Sequence, residues 1–260
     1  MKKNVSKTYT SYTDDFVTSS NQNYELKDNY KWLNNSIFYK IISSLLYFLS
    51  YLVALIYSKL ILRVTFKNKE VLRGYKGYYL FGNHTQMIGD ALNPLILTFP
   101  KKNYIVASTA NLGIPILGKI LPFVGALPIP RKIHEKEALF TAMHTLVQTH
   151  SITIYPEAHL WPYYTSIRPL PISSFKFPVQ DNVPSFSMTT TYQKRKLGKR
   201  PKITIYIDGP FYPDNLPTRK EQAISLRDKV YNQMTIRSKN STYSYIKYEK
   251  RIDDNKDNNL

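Results

Sequence analysis

The chain contains no cysteine. That absence removes disulfides, thiolate metal sites and a cysteinyl acyl-enzyme together, and it fits a reducing compartment. Any nucleophile is then a substrate group or a side-chain hydroxyl. Acidic residues are scarce: 18 Asp and Glu stand against 36 Lys and Arg, a formal net charge of +18. Such an imbalance predicts attraction to polyanions, whether nucleic acid or the anionic face of a bilayer. There is no internal repeat, no P-loop and no dinucleotide-binding glycine fingerprint. No His, Asp and Glu residues carry metal-ligand spacing, so no metal is expected. Residues 1–36 lack a sustained apolar period and read as a polar, loosely attached arm. The first apolar run begins only near Ile37 and has no small-residue cleavage pattern, which argues against a secretory signal.

What the chain does have begins with that run. Ile41 to Ser58 is an uncharged stretch of 18 residues bracketed by Lys40 and Lys59; as a helix it reaches about 27 Å, only just a bilayer span. Lys27, Lys31 and Lys40 precede it, and Lys59, Arg63, Lys67 and Lys69 follow, so positive charge gives no orientation and both flanks fit the cytoplasmic face. Three forms suit the pattern: a buried core helix, a marginal transmembrane helix, or an interfacial helical hairpin broken near Ser50. The Tyr-rich, Lys-flanked composition favours membrane attachment. A nucleic-acid-binding protein would share the charge but would leave this run unexplained.

The stretch from Gly77 to Pro94 reads as strand, site and helix. Tyr78 to Phe81 is an aromatic and aliphatic run between Gly77 and Gly82, the signature of a buried strand, and open α/β sheets place their chemistry beyond the carboxyl ends of such strands. His84 stands there. With a carboxylate orienting one ring nitrogen, the other can take a proton from a hydroxyl about to attack a carbonyl. Asp90 is the nearest candidate orienter, or else the N-cap of a helix beginning at Ala91. Further on, Ile61 to Phe66, Tyr104 to Ala107, Ser151 to Tyr155, Val183 to Thr189 and Ile203 to Ile207 read as strands. Glu135 to His150 shows a helical apolar face, and Thr218 with Glu221 forms a capping box opening a helix to about Met234. His144 and His150 read as structural or exposed. Lys194, Arg195, Lys196, Lys199 and Arg200 form a basic hairpin tip, solvated or available to anionic headgroups.

Asn83-His84 with Asp90 resembles the first motif of the glycerolipid acyltransferases, the family that includes 1-acylglycerol-3-phosphate acyltransferases. In that family a His and an Asp with four residues between them form the catalytic dyad. Five residues intervene here, and Gly89 is expected to absorb the extra one through a positive-φ bulge. Gly125 through Arg131 resembles the second motif, in which an Arg clamps substrate phosphate; Pro130 replaces the family's acidic residue. Pro156-Glu157 resembles the start of the third motif, Pro-Glu-Gly-Thr-Arg. Ala158, His159 and Leu160 then depart from it, and Arg168 is the alternative cation. Val183 to Thr189 resembles the fourth motif, a strand lining the acyl pocket.

The resemblance implies an α/β fold, a mixed sheet flanked by helices with an N-terminal helical membrane-anchoring segment. It divides the chain into a polar arm (1–36), an apolar anchor (37–60), an acyltransferase domain (61–238) and a polar, disordered tail (239–260). It further implies a membrane-associated O-acyltransferase on the cytoplasmic face of the cell membrane. His84 is then the general base and Asp90 its orienter, while Asn83, Arg131, Glu157, His159 and Arg168 meet the substrate. Its partners are a membrane lipid acceptor and an acyl thioester, acyl-CoA or acyl carrier protein, with no bound cofactor and no nucleic acid. A non-phosphate acceptor, or an inactive membrane-binding protein of the same fold, stands as the alternative.

Overall fold

All five residues from Tyr78 to Gly82 are buried, as expected for a central strand covered on both faces. Alternation of side chains with a period of two sends Tyr79 and Phe81 into one core and Tyr78 and Leu80 into another. The computed structural model describes residues 5–18, 21–196, 198 and 200–251. Its strands are β1 (Val5–Tyr9), β2 (Thr65–Lys67), β3 (Tyr78–Gly82), β4 (Asn103–Ser108), β5 (Ala126–Ile129), β6 (Ser151–Ile154), β7 (Ser185–Gln193), β8 (Lys202–Phe211) and β9 (Ile246–Lys250). The helices are α1 (Ile37–Leu55), α2 (Gly89–Thr98), α3 (Leu117–Ile120), α4 (Ile133–Val147), α5 (Lys176–Asp181) and α6 (Arg219–Ser238).

Seven strands form one mixed sheet in the order β2-β8-β7-β3-β6-β4-β5. Every pairing in it is parallel except β7 with β8. The fold class is therefore the expected one, an α/β mixed sheet flanked by helices. On one face α4, the turn leading into α5, and α6 pack on Tyr79, Phe81, Ile152 and Ile154 through Leu139, Met143, Phe175, Leu226 and Val230. The expected capping box opens α6: Thr218 Oγ1 accepts from Glu221 N at 3.2 Å, and Thr218 N donates to Glu221 Oε2 at 3.0 Å. Phe81 is fully buried in this core, so Phe81→Ala is a loss of about 3–5 kcal/mol.

The apolar run is one continuous helix. α1 passes into a π-helical turn over Ile56–Ile61, so the break near Ser50 that the hairpin form required is absent. The Ile61 to Phe66 strand is correspondingly shorter, its first residues closing the helix, and β2 lies beside β8 rather than beside β3. One side of α1 is bonded to the domain: Ser43 Oγ donates to Phe123 O at 2.6 Å, Tyr47 OH accepts from Asn103 N at 2.9 Å, and Ser58 Oγ donates to Asn93 Oδ1 at 3.1 Å. Tyr51 stacks on Phe99 at 3.8 Å. The other side, including Ile37, Phe38, Ile41, Leu45, Leu52 and Ile56, is exposed.

Both polar termini depart from expectation. Residues 5–9 and 246–250, read as a loose arm and a disordered tail, pair as parallel β1 and β9. They close over Trp161, which is fully buried, stacks on Tyr248 at 5.1 Å and donates its indole N–H to Asp14 O at 2.8 Å. The remainder of the expected tail, residues 252–260, lies outside the described residues, as does Lys199.

Candidate active site

Because β3, β4, β5, β6 and β7 run parallel, the segments that follow them share one sheet edge. His84 follows β3 there, and Tyr155 and Glu157 follow β6. His84 Nδ1 lies 2.9 Å from Asp90 Oδ2. The same oxygen accepts the backbone N–H groups of Thr85 at 2.8 Å and Gln86 at 2.9 Å. A carboxylate only accepts, so Nδ1 carries a proton, and in the neutral imidazole Nε2 then presents its lone pair. Asp90 sits in the first turn of α2, where the helix N-terminus favours a negative charge. It is inside the helix rather than its cap.

Five intervening residues do not prevent this pairing, but the reason differs from the expected bulge. Gly89 is not among the positive-φ glycines. The extra residue is taken up by a turn at Met87 and Ile88 ahead of the helix. Gly89 serves through close approach instead, since a Cβ there would fall 1.9 Å from Gln86 Oε1. That side chain belongs to a buried polar chain from the π-helical turn after α1: Ser58 donates to Asn93 Oδ1, and Asn93 Nδ2 donates to Gln86 Oε1 at 3.4 Å.

Tyr155 was not singled out by the sequence. Its ring stacks on His84 at 4.9 Å, and its hydroxyl donates to Asp90 O at 2.5 Å. Burial, and then the Asp90 charge, push this phenol well above its ordinary pKa, so it stays a donor. Gly82 makes room for the ring, because a Cβ there would lie 2.5 Å from it. Tyr192 holds the next residue: its hydroxyl is 2.8 Å from Thr85 Oγ1 and 3.2 Å from Thr85 O.

The other residues expected at the site have more specific placements. Asn83, expected to meet substrate, is buried and clamps Thr190, donating to its carbonyl at 3.0 Å and accepting from its N–H at 2.8 Å. Glu157 accepts from His84 N at 3.0 Å, from Arg168 N at 2.9 Å and from Arg168 Nη2 at 2.8 Å. The two side chains of this pair are 0% and 1% exposed. Arg168 also donates to His159 O and lies over the Trp161 ring at 4.7 Å. Its guanidinium is thus committed inside the protein, which does not fit the expectation of a cation facing substrate phosphate. His159 pairs with Asp15 of the N-terminal arm at 2.5 Å.

Arg131 is exposed beyond β5. It shares the edge with His84 but stands three strand spacings from β3 in the sheet order, about 14 Å. No group of three or more His, Asp or Glu side chains that could hold a metal occurs among the described residues.

No family model matches the chain, and no curated protein matches it. Among solved structures the chain is similar to the 1-acyl-sn-glycerophosphate (LPA) acyltransferase PlsC from Thermotoga maritima, at 15% identity over 79% of this chain and 99% of that one. The TM-score is 0.49, and a likeness at that level assigns no roles to the residues above.

Proposed function

We propose that this protein is a membrane-associated O-acyltransferase that moves a fatty acyl group from a thioester to the hydroxyl of a lysophospholipid, 1-acylglycerol-3-phosphate in the first instance. The observation that carries the reading is the His84–Asp90 pair, with its free Nε2 presented at the carboxyl edge of the sheet. Nε2 takes the proton of the acceptor hydroxyl as its oxygen attacks the thioester carbonyl. Asp90 stabilises the imidazolium that forms. Collapse of the tetrahedral intermediate expels the thiolate, which recovers the proton from His84. The thioester, on CoA or acyl carrier protein, is already activated, so the reaction calls for no further cofactor.

The apolar helix supports the membrane-associated part of the reading. The helix from Ile37 to Ile61 is 25 residues long and apolar enough to cross a bilayer, yet its Ser43, Tyr47 and Ser58 side is bonded to the domain. A helix tied down in this way lies in the interface plane, with its outer apolar side in the acyl region. Met87 and Ile88, exposed in the turn between His84 and Asp90, are further apolar groups available to a membrane. Placement on the cytoplasmic face fits the Lys-rich flanks. A neutral hydroxyl lipid is the second reading, favoured by Leu160 at the family's Arg position and by the commitment of Arg168 to Glu157.

The test is transfer of labelled acyl groups from acyl-CoA by the detergent-purified protein, offered lysophosphatidic acid, other lysophospholipids, glycerol phosphate and neutral alcohols. Transfer to lysophosphatidic acid that is lost in His84→Ala is the expected result. Transfer to none of them, by a folded protein, would overturn the enzymatic reading.

A further inference from the structure

The basic hairpin between β7 and β8 has no part in the site as described so far. β7 is parallel to β3 and directly beside it, so the hairpin rises from the same edge as His84, one strand away rather than three. β2 begins at that edge too, because it runs parallel to β8, and this brings Arg63 to the rim. Arg195 ties the two together by donating from Nη2 to Leu62 O. Arg63, Lys194, Lys196, Arg200 and Lys202 are exposed. None of these five, nor Arg195, forms a salt bridge with a carboxylate among the described residues.

Tyr163 connects this patch to the dyad loop. Its backbone N–H donates to Thr85 O at 2.9 Å, placing it against the residue next to His84. Its ring packs on Tyr192 at 5.3 Å and on Tyr245 at 4.7 Å. Tyr57 and Tyr163 both pack on the core that contains Leu62. Burial raises the Tyr163 hydroxyl's pKa and Tyr245 adds to that, while the charges of Arg200 and Arg195 reach it and act in the opposite sense. Tyr163 and Arg63 both hold positive φ, at 60° and 55°, a conformation that non-glycine side chains adopt at a cost. Two such residues therefore frame one concentration of positive charge without carboxylate partners among the described residues, on the sheet edge that carries His84.

We infer that Arg63, Arg195 and Arg200 form a phosphate-monoester site at the rim of the His84 pocket, replacing the third-motif cation that is missing at Leu160 and committed to Glu157 at Arg168. The planar guanidinium fork suits phosphate oxygens, and several unneutralised cations suit a dianion. The ligand chemistry is a phosphate monoester, carried either by the acceptor lipid or by the 3′-phosphate of CoA. This inference rests on the acyltransferase reading for its kinetic consequence but not for binding itself.

The experiment uses the full chain in detergent, with Arg200→Gln, Arg195→Lys and Arg195→Gln/Arg200→Gln set beside the remote charge control Lys220→Gln/Lys239→Gln. Loss of charge-assisted bonds in the double variant should raise KM for one phosphate-bearing substrate by about 10- to 150-fold. A rise for lysophosphatidic acid but not for monoacylglycerol assigns the acceptor. A rise for acyl-CoA but not for an acyl thioester lacking the nucleotide assigns the donor. Equal changes for all substrates, or a change only in binding to anionic vesicles, would overturn the site, as would an equal effect in the control. Should the wild type transfer no acyl group, the acyltransferase reading fails. The site is then judged by titration with glycerol 3-phosphate and adenosine 3′,5′-bisphosphate, where wild-type binding weakened 10-fold or more in the double variant sustains it and unchanged or undetectable binding rejects it.

Discussion

Replacing Arg168 separates two accounts of the third-motif region by their physical signatures. If this guanidinium faced substrate, Arg168→Ala would raise KM for a phosphate-bearing acceptor and leave folding alone. The observed pair is instead buried at both ends, with Glu157 accepting from Arg168 N, Arg168 Nη2 and His84 N. Truncating one member leaves a carboxylate buried without its counter-charge, which costs about 3–5 kcal/mol. For a chain of 260 residues, an unfolding entropy of about 2.1 cal/mol/K per residue converts that into a fall of about 5–9 °C in Tm. Glu157→Gln/Arg168→Leu removes both charges, so it should lose markedly less than the sum of the single variants. Thermal unfolding by circular dichroism in detergent, with kinetics on the same samples, provides the measurement. A wild-type Tm for Arg168→Ala together with a KM effect confined to phosphorylated acceptors would refute the buried-brace account.

Three further outcomes are expected. His84→Ala should lower kcat by about 10²- to 10⁴-fold while shifting Tm little, because Asp90 keeps its bonds to Thr85 and Gln86; near-normal turnover in a folded variant would remove the general base. Phe38→Glu/Leu45→Glu, at side chains 73% and 58% exposed, should weaken flotation with vesicles by about 10²- to 10⁴-fold, as each large apolar group is worth about 1.5–3 kcal/mol on burial, with no change in Tm; undiminished flotation in high salt would remove α1 as the attachment. Lys102 is pushed from 10.5 to about 8 by burial, where it donates to Ser43 Oγ and Phe123 O. Between those values the unfolded chain holds the proton and the folded one releases it, so stability relative to Lys102→Met should rise with pH from about 8 to 10.5, by about 3 kcal/mol in all; a flat difference between pH 7 and 10 would show that the amine stays charged.

What could be read from the sequence was what neighbouring residues encode. Gly77 precedes β3 and Gly82 ends it because they bound a short apolar run, and Gly82 is needed where Tyr155 closes on it. Thr218 and Glu221 announce α6 because both halves of the cap lie within one turn. The β1–β9 pairing joins Val5 to Ile246 through short polar strands, and nothing local marks either. Its stability comes from rings on Tyr9, Phe16, Trp161 and Tyr248, which only the fold brings together. Arg168 was visible as a cation near the site. Its direction was not, because a side chain in a loop carries no periodicity, and the buried partner that captures it lies 11 residues away.

His84 illustrates why spacing was a weaker guide than valence. Its N–H is held by Glu157, its carbonyl accepts from Trp161 N at 3.0 Å, and Nδ1 is held by Asp90. Nε2 is the polar atom of the residue without a hydrogen-bond partner among the described residues. Two carboxylates from different elements thus perform parallel tasks, Asp90 gathering the loop after β3 from the α2 side and Glu157 from the β6 side. Neither task depends on the number of intervening residues, provided the carboxylate oxygen arrives where the N–H groups point. Because the brace consumes Glu157 and Arg168, the proposed function leaves substrate selection to groups outside it, on loops at the rim of the edge. On the proposed acyltransferase reading, substitutions on the β7–β8 hairpin should change KM for one phosphate-bearing substrate while leaving the dyad geometry intact, whereas substitutions in the brace should change activity toward every substrate alike.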